Sequence, residues 1–219
     1  DELVAKGASV RVEACDASDR AALSSLLGTI GSAHPLDAVI HAAGVLDDGV
    51  VESLDGERMA RVFEPKVRAA WNLHELTREH ELSSFVLFSS VAGVLGSAGQ
   101  ANYAAANAWL DAWAAKRTSE GEAGQSLAWG PWAGGGMAAR LSAADLERMR
   151  RQGMPPLEMA EGMRLLDASL GRPEAALVPV RLDLRALGRA DAVAGLLREL
   201  VRAKPVRRAA EAAGGGLSE

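Results

Sequence analysis

The chain has 219 residues, 48% of them hydrophobic and 24% charged, and a formal net charge of −5. These values fit a folded globular domain and exclude wholesale disorder, a coiled coil and a nucleic-acid-binding surface built on excess positive charge. A single cysteine, Cys15, excludes an intramolecular disulfide framework.

Asp1–Ala5 show no basic segment followed by an apolar run, so no secretory signal and a cytoplasmic location are expected. Ala8–Cys15 alternates apolar and polar residues and reads as a strand. Ser18 or Asp19 caps the next helix, whose apolar face is Ala22, Leu23, Leu26, Leu27 and Ile30. Leu36–Ala42 is a short buried strand. A helical pattern then covers about Asp55 to His80, with Pro65 predicting a kink or a break. Leu82 to Leu110 holds no charged residue, but its scattered Ser, Asn and Gln and its central glycines make it a strand, a loop and a helix rather than a membrane span. The strand is Phe85–Ser89 and the helix Asn102–Lys116. Gln125–Trp129 and Ala176–Val180 are two more strands, with Pro179 suited to an edge or a bulge.

Alternating strands and helices with short connections predict a parallel α/β sheet. Ligands bind such sheets beyond the carboxyl ends of the strands, so the segments after Cys15, His41, Ser89 and Trp129 are expected to line one cleft. Gly134–Gly136, a polar helix around Ser142–Gln152 and Met154–Pro156 read as a lid over that cleft, about 134–156. From Arg185 the chain is rich in Ala, Arg and Gly. Arg198, Arg202, Lys204, Arg207 and Arg208 carry no interleaved aromatics, so residues 186–219 read as a short helix and a solvated linker.

Ser90 closes a strand, Tyr103 follows thirteen residues later at a helix start, and Asn107 lies one turn on, on the same helical face. Lys66 lies on the preceding long helix. A phenol has a reference pKa of about 10, and a neighbouring ammonium is expected to lower it. Tyr103 would then protonate a carbonyl oxygen gaining negative charge while Ser90 holds that oxygen. That is the chemistry of carbonyl reduction by hydride.

Val39–Gly49, Phe63–Val67, Phe88–Gly93, Asn102–Asn107 and Trp129–Trp132 together resemble the ketoreductase domain of modular type I polyketide synthases, within the short-chain dehydrogenase/reductase superfamily. The likeness runs in order over about residues 1–185. It implies a Rossmann-like parallel sheet and NADPH-dependent reduction of a β-ketoacyl thioester held on an acyl carrier protein, alongside the other domains of the same synthase. It makes Tyr103 the proton donor, Ser90 the carbonyl-positioning residue, and Lys66 with Asn107 the supporting pair. Lysine and asparagine are exchanged relative to most of the superfamily, as is usual in these ketoreductases. It also places Asp16 at adenine, Ala42, Ala43 and Gly44 beside the cofactor with Lys66 and Tyr103, and Pro131 and Trp132 near the nicotinamide. Without the family, Asp16 reads equally well as a helix-start acid satisfied by backbone N–H groups.

Leu46-Asp47-Asp48 resembles the motif of B-type ketoreductases, which form the D-hydroxyl, and Leu95 stands where A-type enzymes carry tryptophan. Gln100 joins this stereocontrol set. Two acids in a turn before a helix also serve as plain caps.

No glycine-rich phosphate loop is found. The resemblance therefore implies that the first βαβ unit, roughly 45 residues, precedes this chain in the complete fold. The chain alone is expected not to bind NADPH and to be inactive, its linker leading toward the carrier protein. A non-catalytic ketoreductase-like scaffold and a stand-alone short-chain reductase are the competing readings. No membrane or nucleic-acid contact is expected. No metal site is expected either, since His34, His41, His74 and His80 do not pair at ligand spacing.

Overall fold

Four of the five expected strand runs form a parallel sheet in the computed structural model, which describes residues 2–134, 147, 149–190 and 193–201. The strands are β1 (Ala38–His41), β2 (Ser84–Ser90), β3 (Gln125–Trp129) and β4 (Ala176–Leu177), hydrogen-bonded in that order. Register pairs His41 with Leu87 and Ser90 with Trp129, so the carboxyl ends of β1, β2 and β3 lie side by side. β4 is shorter than expected. Pro179 has no N–H to give to a ladder, but its carbonyl accepts the Gly130 N–H at 3.0 Å.

The helices take the positions that apolar spacing dictates. Glu2–Ala5 (α1) is a single turn. Asp19, not Ser18, caps α2 (Arg20–Leu27), accepting from the Ala21 and Ala22 N–H groups. The long helical pattern splits at Pro65 into α3 (Gly56–Phe63), a π-helical turn (Glu64–Arg68) and α4 (Ala69–Leu76). Proline supplies no N–H for an intrahelical bond, and the Ala69 N–H reaches back five residues to the Glu64 carbonyl. α5 (Val91–Leu95) and α6 (Ala101–Ser119) follow β2, while α7 (Met159–Ser169) and α8 (Leu184–Leu187) follow β3 and β4.

Successive β2 side chains face opposite ways, giving two cores. Phe85 and Leu87 pack with Val39, Ala70, Leu110 and Trp113 under α4 and α6. Val86, Leu127, Trp129 and Leu157 pack on the other face, with Leu165 and Leu166 of α7 against them. That second layer stops at β3 and β2: Val86 is 1% exposed, whereas Ile40, its register partner on β1, is 54% exposed.

Two expectations fail here. Ala8–Cys15 is not a strand of the sheet, and Val12 is 92% exposed. Alternation is a local pattern, while a strand needs a partner ladder, and none of the described residues supplies one. The segment after Cys15 therefore does not continue from the end of a strand. It is fastened instead to α4, where the Asn72 amide donates to the Ala17 and Ser18 carbonyls at 3.0 and 2.9 Å.

The central part of the expected lid, 135–146 and 148, lies outside the described residues, as does 202–219 of the expected linker. The residues flanking 134–156 are joined: Leu157 N–H donates to Pro131 O, and Ala133 N–H donates to Leu157 O, both at 2.7 Å. Among the described residues no helix is long and apolar enough to cross a membrane.

Candidate active site

β2 ends at Ser90, whose hydroxyl caps α5 by accepting the Ala92 N–H at 3.2 Å. The next long helix, α6, starts at Ala101, so Tyr103 falls in its first turn, 5% exposed. It packs with Val62, Ala92 and Ala106, and Leu46 closes the cluster. Lys66 enters from the π-helical turn, 2% exposed. Its ammonium donates to the Phe88 carbonyl at 3.0 Å and stands 5.3 Å from the centre of the Tyr103 ring. Three elements distant in sequence thus bring Ser90, Tyr103 and Lys66 to one place, at the carboxyl end of β2. Asn107 sits one turn beyond Tyr103, fully buried. Its amide donates to the Tyr103 backbone carbonyl at 2.7 Å, and its Oδ1 has no partner among the described residues.

The electrostatics differ from the expectation in one respect. The Tyr103 phenol is pushed up, not down. Burial is the main cause; the polar side chains of Ser90 and Asn107 pull the other way, and the Asp48 charge adds to the rise. Burial also pushes Lys66 down to about 8, against the opposing pull of Asp111. Desolvation dominates both shifts, and both groups are steered toward their neutral forms. A phenol is protonated at neutral pH without any shift, so burial by itself makes Tyr103 a weaker acid.

The rim above Tyr103 is a stitched pair of loops. The Asp47 carboxylate accepts from Arg58 Nε and a terminal nitrogen at 2.9 and 2.7 Å and from Arg61 at 2.8 Å, which holds its carboxyl below the usual range. Asp48 accepts from Gln100 Nε2 at 2.9 Å. Asn102 donates to the Asp47 carbonyl at 2.8 Å, and Gly49 N–H donates to Gly99 O at 2.8 Å. Leu46, Asp47, Asp48 and Gln100 therefore share one rim, with the half-buried Leu95 at the end of α5. The sequence singled out neither Arg58 nor Arg61; two arginines on an exposed helix carry no sign of which acid they will meet.

Not every expected residue joins the cluster. Asp16 accepts the Ser18 N–H at 2.8 Å in a local turn, and that bond keeps its carboxyl low. The Trp132 ring packs 4.8 Å from that of Trp129 and against Gly162 of α7, where a Cβ would come within 2.2 Å of it. Pro131 stays at the carboxyl end of β3, half-buried.

A family model described as "KR domain" matches residues 1–134. The chain belongs to the KR domain family, the ketoreductases of polyketide synthases. Polyketide synthase GfsA of Streptomyces halstedii is 53% identical over an aligned length of 223, a match that covers 97% of this chain and 3% of the synthase. Mycoketide-CoA synthase of Mycobacterium tuberculosis is 53% identical over 194 residues, 88% of this chain and 5% of its own length. The KR chain thus spans a small part of these multidomain relatives. Among solved structures, an A1-type ketoreductase superposes with a TM-score of 0.82 at 40% identity, covering 90% of this chain and 42% of that one. The A-type ketoreductases from a modular polyketide synthase give 0.80 at 41% identity, covering 85% and 39%.

KR domains are nicotinamide-dependent reductases, and one end of this site suits that ring. Ala42 and Ala43 are exposed just past the end of β1, and a Cβ on the next residue, Gly44, would lie 2.8 Å from Lys66 Cε. Small side chains there leave a backbone surface directly beside Lys66. The described residues contain no glycine-rich turn to hold a pyrophosphate.

Proposed function

We propose that this KR domain works within a polyketide synthase, reducing the ketone of a β-ketoacyl thioester on an acyl carrier protein to a hydroxyl with NADPH as reductant. The observation that carries this reading is the convergence of Tyr103, Lys66 and Ser90, with the ammonium 5.3 Å from the tyrosine ring. Ala42–Gly44, Lys66, Tyr103 and Pro131 would hold the reduced cofactor, which would supply the hydride that reduces the carbonyl carbon. Tyr103 gives its phenolic proton to the carbonyl oxygen as negative charge builds there, and the Ser90 hydroxyl holds that oxygen by a second hydrogen bond. Lys66, with a pKa of about 8, is mostly cationic at pH 7, and its charge opposes the cost of leaving a phenolate in a buried site. Asn107 fixes the first turn of α6 through the Tyr103 carbonyl.

The stereochemical reading is B-type, giving the D-hydroxyl. It rests on Leu46–Asp48 and Leu95, not on the overall backbone, which superposes well on A-type enzymes. Asp47 is held by Arg58 and Arg61, so the turn is anchored, and Asp48 reaches across to Gln100.

Tyr103→Phe in the synthase polypeptide tests the reaction. Reduction of a diketide thioester is expected to fall by about 10²-fold or more, with NADPH affinity unchanged by fluorescence titration. Near-normal turnover contradicts the assignment. Asp48→Ala tests the stereochemistry: chiral chromatography is expected to show a mixture of hydroxyl configurations. A product of unaltered configuration removes Asp48 from stereocontrol.

A further inference from the structure

His41 is a buried histidine that the reaction outlined above does not use. It ends β1, pairs with Leu87 in the sheet and is 4% exposed. Its ring turns toward the π-helical turn, with Nε2 3.0 Å from the Lys66 backbone carbonyl. A carbonyl only accepts, so Nε2 carries the proton and donates it. The same carbonyl also receives the Ala69 N–H inside the turn, so the imidazole occupies its second acceptor position.

The spacing within β1 and its loop gives this contact a purpose. Three residues after His41 comes Gly44, the residue against which the Lys66 side chain packs, with room for no Cβ. His41 thus holds Lys66 by its backbone while Gly44 leaves a channel for its methylene stem. The Phe88 carbonyl then takes the ammonium at 3.0 Å. Lys66 is thus held from outside its own turn at three points, backbone, stem and tip.

We propose that His41 is a positioning residue for Lys66: through a neutral Nε2–H it pins the π-helical turn so that the ammonium is delivered to the Phe88 carbonyl beside Tyr103. This rests on Lys66 serving the reduction proposed above. Burial, reinforced by the Lys66 charge, holds the His41 imidazole down at about 4, so it is neutral whenever the site works. In the neutral ring the tautomer is then set: Nε2 protonated, Nδ1 bare.

Two measurements test this without depending on turnover. Nitrogen-15 NMR of the imidazole in the wild-type chain is expected to show the Nε2–H tautomer across about pH 6–8. The Nδ1–H tautomer would place two lone pairs face to face and overturn the proposal. Carbon-13 NMR of the lysine ε-carbons is expected to show Lys66 titrating near 8 in wild type and in His41→Gln, whose amide N–H reaches the same carbonyl. In His41→Phe, which fills the space without a donor, Lys66 is expected to move toward the ordinary 10.5. In the synthase polypeptide, His41→Phe is expected to lower kcat by about tenfold or more with KM little changed, and His41→Gln to restore most of it. A His41→Phe protein with Lys66 still near 8 and kcat intact sinks the proposal. Should that variant not fold, the tautomer and the His41→Gln titration decide. If no form reduces a ketone, the functional reading fails while the two NMR results still judge the role of His41.

Discussion

The two ends of the sheet have been built to different standards. Around β2 and β3 the strands have cover: Leu87, Leu127 and Ser126 are fully buried, helices lie on both faces, and Ser126 donates to Asp111, though the buried Trp129 Nε1 has no partner among the described residues. Around β1 only one face is covered, and residues 8–14 are exposed throughout, so that Ile40, Val10 and Val12 look outward. The residues expected to meet the reacting carbonyl lie in the first region. Asp16, expected at adenine, lies in the second, on a stretch fastened mainly through Asn72. The lesson is that Ser90, Tyr103 and Lys66 are gathered by the end of β2, α6 and the π-helical turn, while the β1 side contributes only at the boundary, through His41 and Gly44.

The largest effect expected from this contrast is the loss of about 10²-fold or more in reduction on Tyr103→Phe, since the phenol sits wholly inside the well-packed half. Next comes stability. Leu127→Ala removes a fully buried side chain between β2 and β4 and is expected to cost about 3 kcal/mol in urea denaturation. A cost below about 1 kcal/mol would mean that the second core is looser than the structure has it.

Acid is expected to act through the boundary between the two halves. His41 titrates near 4 when folded against 6.5 ordinarily, so between those values the unfolded chain binds more protons. The contribution of His41 is full above pH 6.5 and is lost as pH falls to about 4, roughly 3 kcal/mol in all. His74, also held down mainly by burial, acts in the same direction. Urea melts at neutral and acid pH are expected to show a shallower pH dependence for His41→Gln than for wild type. Equal slopes would refute this origin. The smallest effect belongs to the open region: Val12→Ala is expected to change stability by no more than about 0.5 kcal/mol, because a side chain 92% exposed has little burial to lose. A loss as large as that of Leu127→Ala would show Val12 packed in solution.

Much of this was legible in the residues. A continuous apolar run announced β2, and one helical turn between Tyr103 and Asn107 placed both on one face. Pro65 marked the break in the long helix, though not its π-helical form, which depends on what fills the freed bonding positions. Residues 8–15 were misread because period-two alternation says what a strand looks like and not whether a neighbour pairs with it. The grip of Arg58 and Arg61 on Asp47 was invisible because their meeting is decided by tertiary packing. The Tyr103 shift runs opposite to the expectation for a related reason: the proximity of an ammonium can be guessed from family spacing, but the depth of burial that raises the phenol cannot.

The most direct test of the central claim, that Tyr103 and Lys66 act as one unit, is a double-mutant cycle on the rate at which the ketone of a β-ketoacyl thioester is reduced. Tyr103→Phe, Lys66→Met and the double variant would be compared in the synthase polypeptide at pH 7. The account predicts that each single change removes most activity and that the double variant is little worse than the weaker single one, because either loss disables the same proton transfer. Losses that multiply independently would contradict it.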